Sequence, residues 1–157
     1  MSPKKKAARK KPLTPRHKAR EVAFQVLYRY DVARKATGAS APAGPALAAE
    51  LKGHFEHFDV SGEAREFAAE LVAGTLANVD EIDGKVRSTS ANWRLERMGF
   101  VDRNILRLAA YELLHKPEIP ASVTINEAIE LAKQFGTEQT PAFVNGVLDA
   151  LARAASK

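Results

Sequence analysis

Residues 14–33, TPRHKAREVAFQVLYRYDVA, carry the pattern that decides the fold. Ala19, Val22, Ala23, Val26, Leu27 and Tyr30 recur at spacings of three and four, which puts one apolar face on a 3.6-residue helix. Thr14 before Pro15 marks the start, because a threonine oxygen accepts an orphan backbone N–H and proline has no donor to lose at a first helical position. Arg16 and Arg20 lie one turn apart on another face, with His17 and Lys18 beside them. A backbone held by packing presents such cations at fixed positions, which suits contact with phosphates and base edges. Cations at a helix N-terminus oppose its macrodipole, so their placement favours a ligand that brings negative charge.

Upstream of this helix the chain is more basic still. Residues 1–20 hold nine of the 24 Lys and Arg residues and no acid, leaving 15 cations against 19 acids in the rest. Residues 1–13, with Lys4, Lys5, Lys6, Arg9, Lys10 and Lys11, read as a disordered arm, since dense like charge repels itself. Such an arm makes auxiliary electrostatic contacts to a polyanion and loses them steeply in salt. A solvated solubility tail is the competing reading, and a mitochondrial transit peptide a weaker one, because those favour arginine and serine in an amphipathic pattern.

Downstream, the helix is expected to end near Ala33, and residues 36–46, ATGASAPAGPA, read as a flexible surface loop. A short amphipathic segment follows at 47–58. Ser61 then reads as the cap of a stripe formed by Phe67, Leu71, Val72, Leu76, Val79, Ile82 and Val86, with a break into two helices expected near Gly74. Residues 88–99 form a junction that holds the single tryptophan, Trp93. Asp102 is expected to cap a helix with Ile105, Leu106, Ala109, Ala110 and Leu113 inward, stopped by Pro117. Thr124 and Glu127 have the spacing of a capping box ahead of Ile125, Ala128, Ile129, Ala132 and Phe135, and Gly136 reads as a left-handed stop. Thr140 and Pro141 repeat the start signal, ahead of Phe143, Val144, Val147, Leu148 and Leu151. The sum is an all-α chain of about six or seven helices with short connections, packed as a bundle over residues 14–157.

Little in the chain points to catalysis. The absence of cysteine excludes a disulfide framework, thiolate metal sites and a cysteine nucleophile. No apolar run approaches the roughly 20 residues of a membrane span, and no apolar stretch follows the lysines as a secretory signal requires, so the expected setting is the cytoplasm. His54 and His57 lack a third ligand at a suitable spacing, and no metal or other cofactor is expected. His17 and His115 read as surface residues among cations. Acidic pairs such as Glu63 with Glu66 and Glu127 with Glu130 have ordinary helix-surface spacing. Glycine-rich phosphate loops, serine elbows and nucleotide fingerprints are absent, leaving a binding module as the reading.

Four segments carry a family resemblance. RHKAREVAFQVLYRYD at 16–31, NILRLAAYEL at 104–113, INEAIELAKQFG at 125–136 and FVNGVLD at 143–149 resemble the NusB family of transcription antitermination factors in wording and spacing. The resemblance implies an all-α protein of two three-helix halves that acts with ribosomal protein NusE. It implies binding to boxA-type leader RNA, and entry into an RNA polymerase antitermination complex that supports ribosomal RNA transcription. It assigns RNA contact to Arg16, Lys18 and Arg20, with His17 where an arginine is often found. It also brings forward Gln139 and Phe143 near the RNA; an acidic residue is familiar at the first of these. Tyr28 and Asp102 match positions of NusE contact. Some family members self-associate, and no exposed stripe here decides between monomer and homodimer.

Each assignment has a structural alternative. Phe143 reads equally as core, and Tyr28 as a half-buried packing residue. Asn126 and Asn145 are expected to satisfy helix ends and interhelical backbone groups, and Gly146 to mark a close helix approach. Two other functions remain open: a general helical protein-interaction module, and the isolated RNA-binding domain of an RNA cytosine methyltransferase, the latter only for a fragment of a longer chain.

Overall fold

A computed structural model describes residues 14–60, 62–89 and 94–155. Among them are seven α-helices and no strand: α1 Pro15–Thr37, α2 Gly44–His57, α3 Gly62–Ala77, α4 Val79–Thr89, α5 Phe100–His115, α6 Ala121–Phe135 and α7 Thr140–Ala155, with a single 3-10 turn at Leu95–Arg97 before α5. The all-α expectation holds. The expected arm at 1–13, the Ser61 cap and Trp93 lie outside the described residues.

The opening helix begins as its sequence dictates, with the Thr14 hydroxyl accepting the His17 N–H at 3.0 Å and Pro15 in the first turn. It runs one turn past the expected end at Ala33, because Gly38 adopts φ 79° and donates its N–H to the Arg34 carbonyl. The loop is correspondingly shorter than 36–46, and α2 starts at Gly44. Between α3 and α4 the break falls at Asn78 and not at Gly74. The Asn78 side-chain amide donates to the Gly74 carbonyl at 2.8 Å and its backbone N–H to the same oxygen at 3.1 Å, which closes one helix; its own carbonyl then accepts the Ile82 N–H in the next. Gly74 serves packing instead. A Cβ there would stand 2.2 Å from Tyr111 Cζ, so α3 and α5 approach this closely only without a side chain.

Helix α5 is the centre of the molecule, packed against α1, α3, α4, α6 and α7. Its expected stripe is therefore too narrow: Leu108, Tyr111 and Glu112 are buried as well as Ile105, Leu106, Ala109 and Ala110, while Leu113 is only half-buried. Around it stand two three-helix groups, α1 to α3 and α5 to α7, with α4 laid across α5 and α7. Val22, Val26, Leu71, Val72, Leu131, Val144, Leu148 and Leu151 join the same core. At about 25 cal/mol per Å² of apolar surface, burial of this kind is the main stabilising term.

Candidate nucleic-acid interface

The N-terminal turns of α1 are fixed by a buried polar network that the sequence does not announce. Arg20, 4% exposed, meets Glu112 of α5, 1% exposed, in a two-pronged ion pair, Nε to Oε2 at 2.7 Å and Nη2 to Oε1 at 2.8 Å. The Thr124 hydroxyl of α6 donates to Glu112 Oε1 at 2.9 Å, and the Arg20 guanidinium lies 5.3 Å from the centre of the Phe67 ring of α3. Four helices are thus joined at one charged centre. The Arg20 guanidinium, expected at the RNA, is buried against Glu112. One expectation is corrected. Thr124 is not a cap: the N-cap of α6 is Pro120, and the threonine side chain is buried in the network.

His17 is likewise engaged. Its Nδ1 is 2.7 Å from Glu127 Oε1 and its Nε2 3.9 Å from Glu21 Oε2, so Glu127 holds the α1 end to α6 and does not close a capping box. Neither histidine expected at the surface among cations stands alone, since His115 Nε2 lies 2.8 Å from Glu81. Arg16 is exposed, its guanidinium 4.1 Å over the Phe67 ring, and Lys18 beside it is half-buried. The α1 first turn contains no acid. Nearby, Lys116 pairs with Glu70 and Glu118. A backbone hydrogen bond first, then Lys116 and Arg16, hold the Glu118 carboxyl below the usual glutamate value.

The remaining expected residues gather toward the other end of α1. Helices α1 and α6 run side by side with matching contacts: His17 meets Glu127, and Phe24 stacks on Phe135 with ring centres 4.9 Å apart. Eight residues of α6 separate these contacts, about 12 Å of helix. Beyond Phe135, Gly136 is extended, at φ −98° and ψ −169°, and not the left-handed stop expected. A Cβ on it would stand 2.6 Å from the Thr140 side chain. Gln139 is exposed at the tip of this turn and Phe143 half-buried behind it. Tyr28, 36% exposed, packs edge-on to Phe100 with ring centres 6.1 Å apart, so the first turn of α5 sits beside it. Asp102, in that turn, is not the cap of α5, which is Gly99; its Oδ1 accepts the Thr140 hydroxyl at 3.0 Å. Arg16 and Lys18 thus lie at the start of α1, while Tyr28 packs against the α5 turn whose Asp102 holds the turn of Gln139.

Asn126, Asn145 and Gly146 are exposed, and a Cβ on Gly146 would meet open space, so no close helix approach explains that glycine. A cavity of about 500 Å³ under the loop between α1 and α2 is a separate feature. Part of its polar wall is occupied by pairs within the protein, Asp31 with Arg103 and Asn104, and Asp83 with Arg107, while the buried Thr75 hydroxyl that also lines it has no hydrogen-bond partner. Among the described residues no group of three or more His, Cys, Asp and Glu side chains stands ready for a metal ion, and no helix is long and apolar enough to cross a membrane.

Comparison with known proteins covers the same elements. The chain is 45% identical over 140 residues to the transcription antitermination protein NusB of Geotalea daltonii, covering 89% of this chain and 95% of that one. It is 46% identical over 142 residues to the protein of the same name from Myxococcus xanthus, covering 90% and 97%. Among solved structures, NusB of T. maritima superposes with a TM-score of 0.73 at 36% identity, covering 90% of this chain and 93% of that one. A chain from the crystal structure of antitermination factors NusB and NusE in complex with double-stranded RNA superposes with a TM-score of 0.74 at 30% identity, covering 89% and 97%. The NusB family model matches residues 17–153, from His17 in the first turn of α1 into the last turns of α7. With a fold that superposes on solved NusB structures and a family-model match along nearly its whole length, the chain belongs to the NusB family.

Proposed function

We propose that this chain is an RNA-binding transcription antitermination factor. Together with ribosomal protein NusE it binds boxA-type leader RNA and helps RNA polymerase suppress termination in ribosomal RNA operons, acting in the cytoplasm as a binding protein and not as an enzyme. The observation that carries the reading is the placement of Arg16 and Lys18 on the opening turn of α1, directly after the cation-rich stretch, on a backbone anchored by the Arg20–Glu112–Thr124 centre. Phosphate contacts from such a turn set register, while the Gln139 and Phe143 end of the surface supplies contacts to bases. The length of the surface suits an extended single strand whose bases are free to stack and hydrogen-bond. Lys4, Lys5, Lys6, Arg9, Lys10 and Lys11 add affinity through counterion release without sequence choice. Tyr28, 36% exposed, and the first turn of α5 form the face offered to NusE. The exposed Tyr28 ring and its polar tip suit a protein contact.

The test is a titration with a boxA-like RNA and a scrambled RNA of equal length, each with and without NusE. Tighter binding of the boxA-like RNA, enhanced by NusE, supports the assignment. Equal affinity for both RNAs, indifferent to NusE, makes the chain a general helical interaction module instead.

A further inference from the structure

The Thr137 to Thr140 turn is held by a chain of side-chain bonds that ends on α5. Gln139 N–H donates to the Thr137 hydroxyl at 3.3 Å, Thr137 N–H donates to the Thr140 hydroxyl at 3.0 Å, and the Thr140 hydroxyl donates to Asp102 Oδ1 at 3.0 Å. Thr140 is buried, 1% exposed, and its side chain packs onto Gly136 where a Cβ would not fit. The turn that exposes Gln139 therefore has its shape set by its own buried hydroxyl at Thr140, where α7 begins, and by one carboxylate from the first turn of α5. The α5 turn that supplies the carboxylate also places Phe100 edge-on against Tyr28. Whatever leans on the Tyr28 and Phe100 rings leans on the element that holds Asp102.

We propose that Asp102, acting through Thr140, is a positioning residue that couples the protein-partner face at Tyr28 to the RNA-facing turn at Gln139. The carboxylate is the joint between two surfaces, and not only a contact on one of them. Binding free energies at two sites linked through such an element are reciprocal, so a partner that steadies the α5 turn tightens RNA binding by the factor by which RNA tightens the partner. This inference rests on the RNA-binding reading above.

Three variants separate the joint from a plain contact. Thr140→Val removes the hydroxyl at nearly constant volume, in a residue too buried to touch RNA or a partner protein. Asp102→Ala removes the acceptor, and Asp102→Asn retains one. Amide hydrogen exchange in the free protein reads the turn directly, and RNA titration with and without NusE reads the coupling. Thr140→Val and Asp102→Ala are each expected to speed exchange at the Thr137 and Gln139 N–H groups. Each is also expected to lower the NusE enhancement of RNA affinity about fivefold, the factor one net hydrogen bond carries. The double variant is expected to be no worse than either alone, and Asp102→Asn to stay near the parent. Unchanged exchange in both single variants overturns the proposal, as does full NusE enhancement in Thr140→Val. Should the parent chain bind no RNA, the functional reading fails, while the exchange data still decide whether Asp102 shapes the turn.

Discussion

Replacing Arg20 by alanine should damage the fold far more than replacing Arg16, although the two arginines sit one turn apart in the same basic stretch. Arg20 is 4% exposed and two of its guanidinium nitrogens bond Glu112, itself 1% exposed, so its removal strands a buried carboxylate. Breaking a buried pair from one side costs about 3–5 kcal/mol, a large share of the roughly 5–15 kcal/mol that holds a domain folded. At about 2–4 °C per kcal/mol for a chain of this size, Tm should fall by about 6–20 °C. Arg16 is exposed and gives up its contact with the Phe67 ring, worth about 0.5–1 kcal/mol, and a solvent-screened attraction to Glu118, so Arg16→Ala should melt within about 4 °C of the parent. Differential scanning calorimetry of both variants, with circular dichroism to follow helicity, reads the difference. Replacing the pair together, Arg20→Met with Glu112→Leu, removes the stranded charge; it leaves the Thr124 hydroxyl without its acceptor and Glu127 without the Arg20 nitrogen 3.9 Å away, so most of the lost stability should return. Near-parental melting of Arg20→Ala, or a collapse of Arg16→Ala, would refute the reasoning.

Deleting residues 1–12 removes six cations, so the dependence of RNA affinity on salt should flatten while discrimination between boxA-like and scrambled RNA persists; loss of discrimination on filter binding would assign the arm a reading role. Gly74→Ala should destabilise the protein by about 1–3 kcal/mol, despite a helix-propensity gain near 1 kcal/mol, because the new Cβ meets the Tyr111 ring; denaturant midpoints check it, and a stabilised variant contradicts it. Burial first, and then Arg29, holds His54 below the usual histidine value of 6.5, with Glu50 opposing and His57 adding to the effect. A histidine depressed on folding binds more protons unfolded, so stability should decline as pH falls below about 6.5, and His54→Gln should lessen that decline in thermal melts. An unchanged slope in the variant would remove His54 as a cause.

The parts of the fold visible in the sequence are those governed by near neighbours. The stripes of α1 and α7 and the Thr14 cap depend on spacings of three and four, and they stand as read; in α6 the buried face is shifted, with Leu131 buried beside Ala128 and Ala132 while Ile125, Ile129 and Phe135 are only half-buried. The misreadings share a cause in partners far along the chain. Thr124 and Glu127 have a capping-box spacing, yet their side chains answer Glu112 and His17, which no local rule pairs with them. Arg16 and Arg20 look alike as letters; the acid that buries one of them is 92 residues away. Gly74 reads as a breaker because glycine is poor in helices, whereas Tyr111, on another helix, needs the space. Gly136 reads as a left-handed stop, whereas the Thr140 side chain fills that corner and the backbone extends past it. Of the residues proposed for contact, Arg16, Lys18, Gln139 and Tyr28 are exposed or partly so. The groups that fix their positions, Glu112, Thr124, Glu127 and Thr140, were hidden behind ordinary helix chemistry. A threonine at a capping spacing, Thr124, just before the 125–136 stretch is the one available hint.

The most direct measurement of whether the opening turn of α1 docks RNA is site-resolved cross-linking. A photoreactive boxA-like RNA is bound to the chain with NusE, and the linked peptides are identified. Attachment at Arg16 and Lys18, with a second cluster around Gln139 and Phe143, is the expected result. Attachment confined to α2, α3 or α4, or none above the level of a scrambled RNA, would contradict the account.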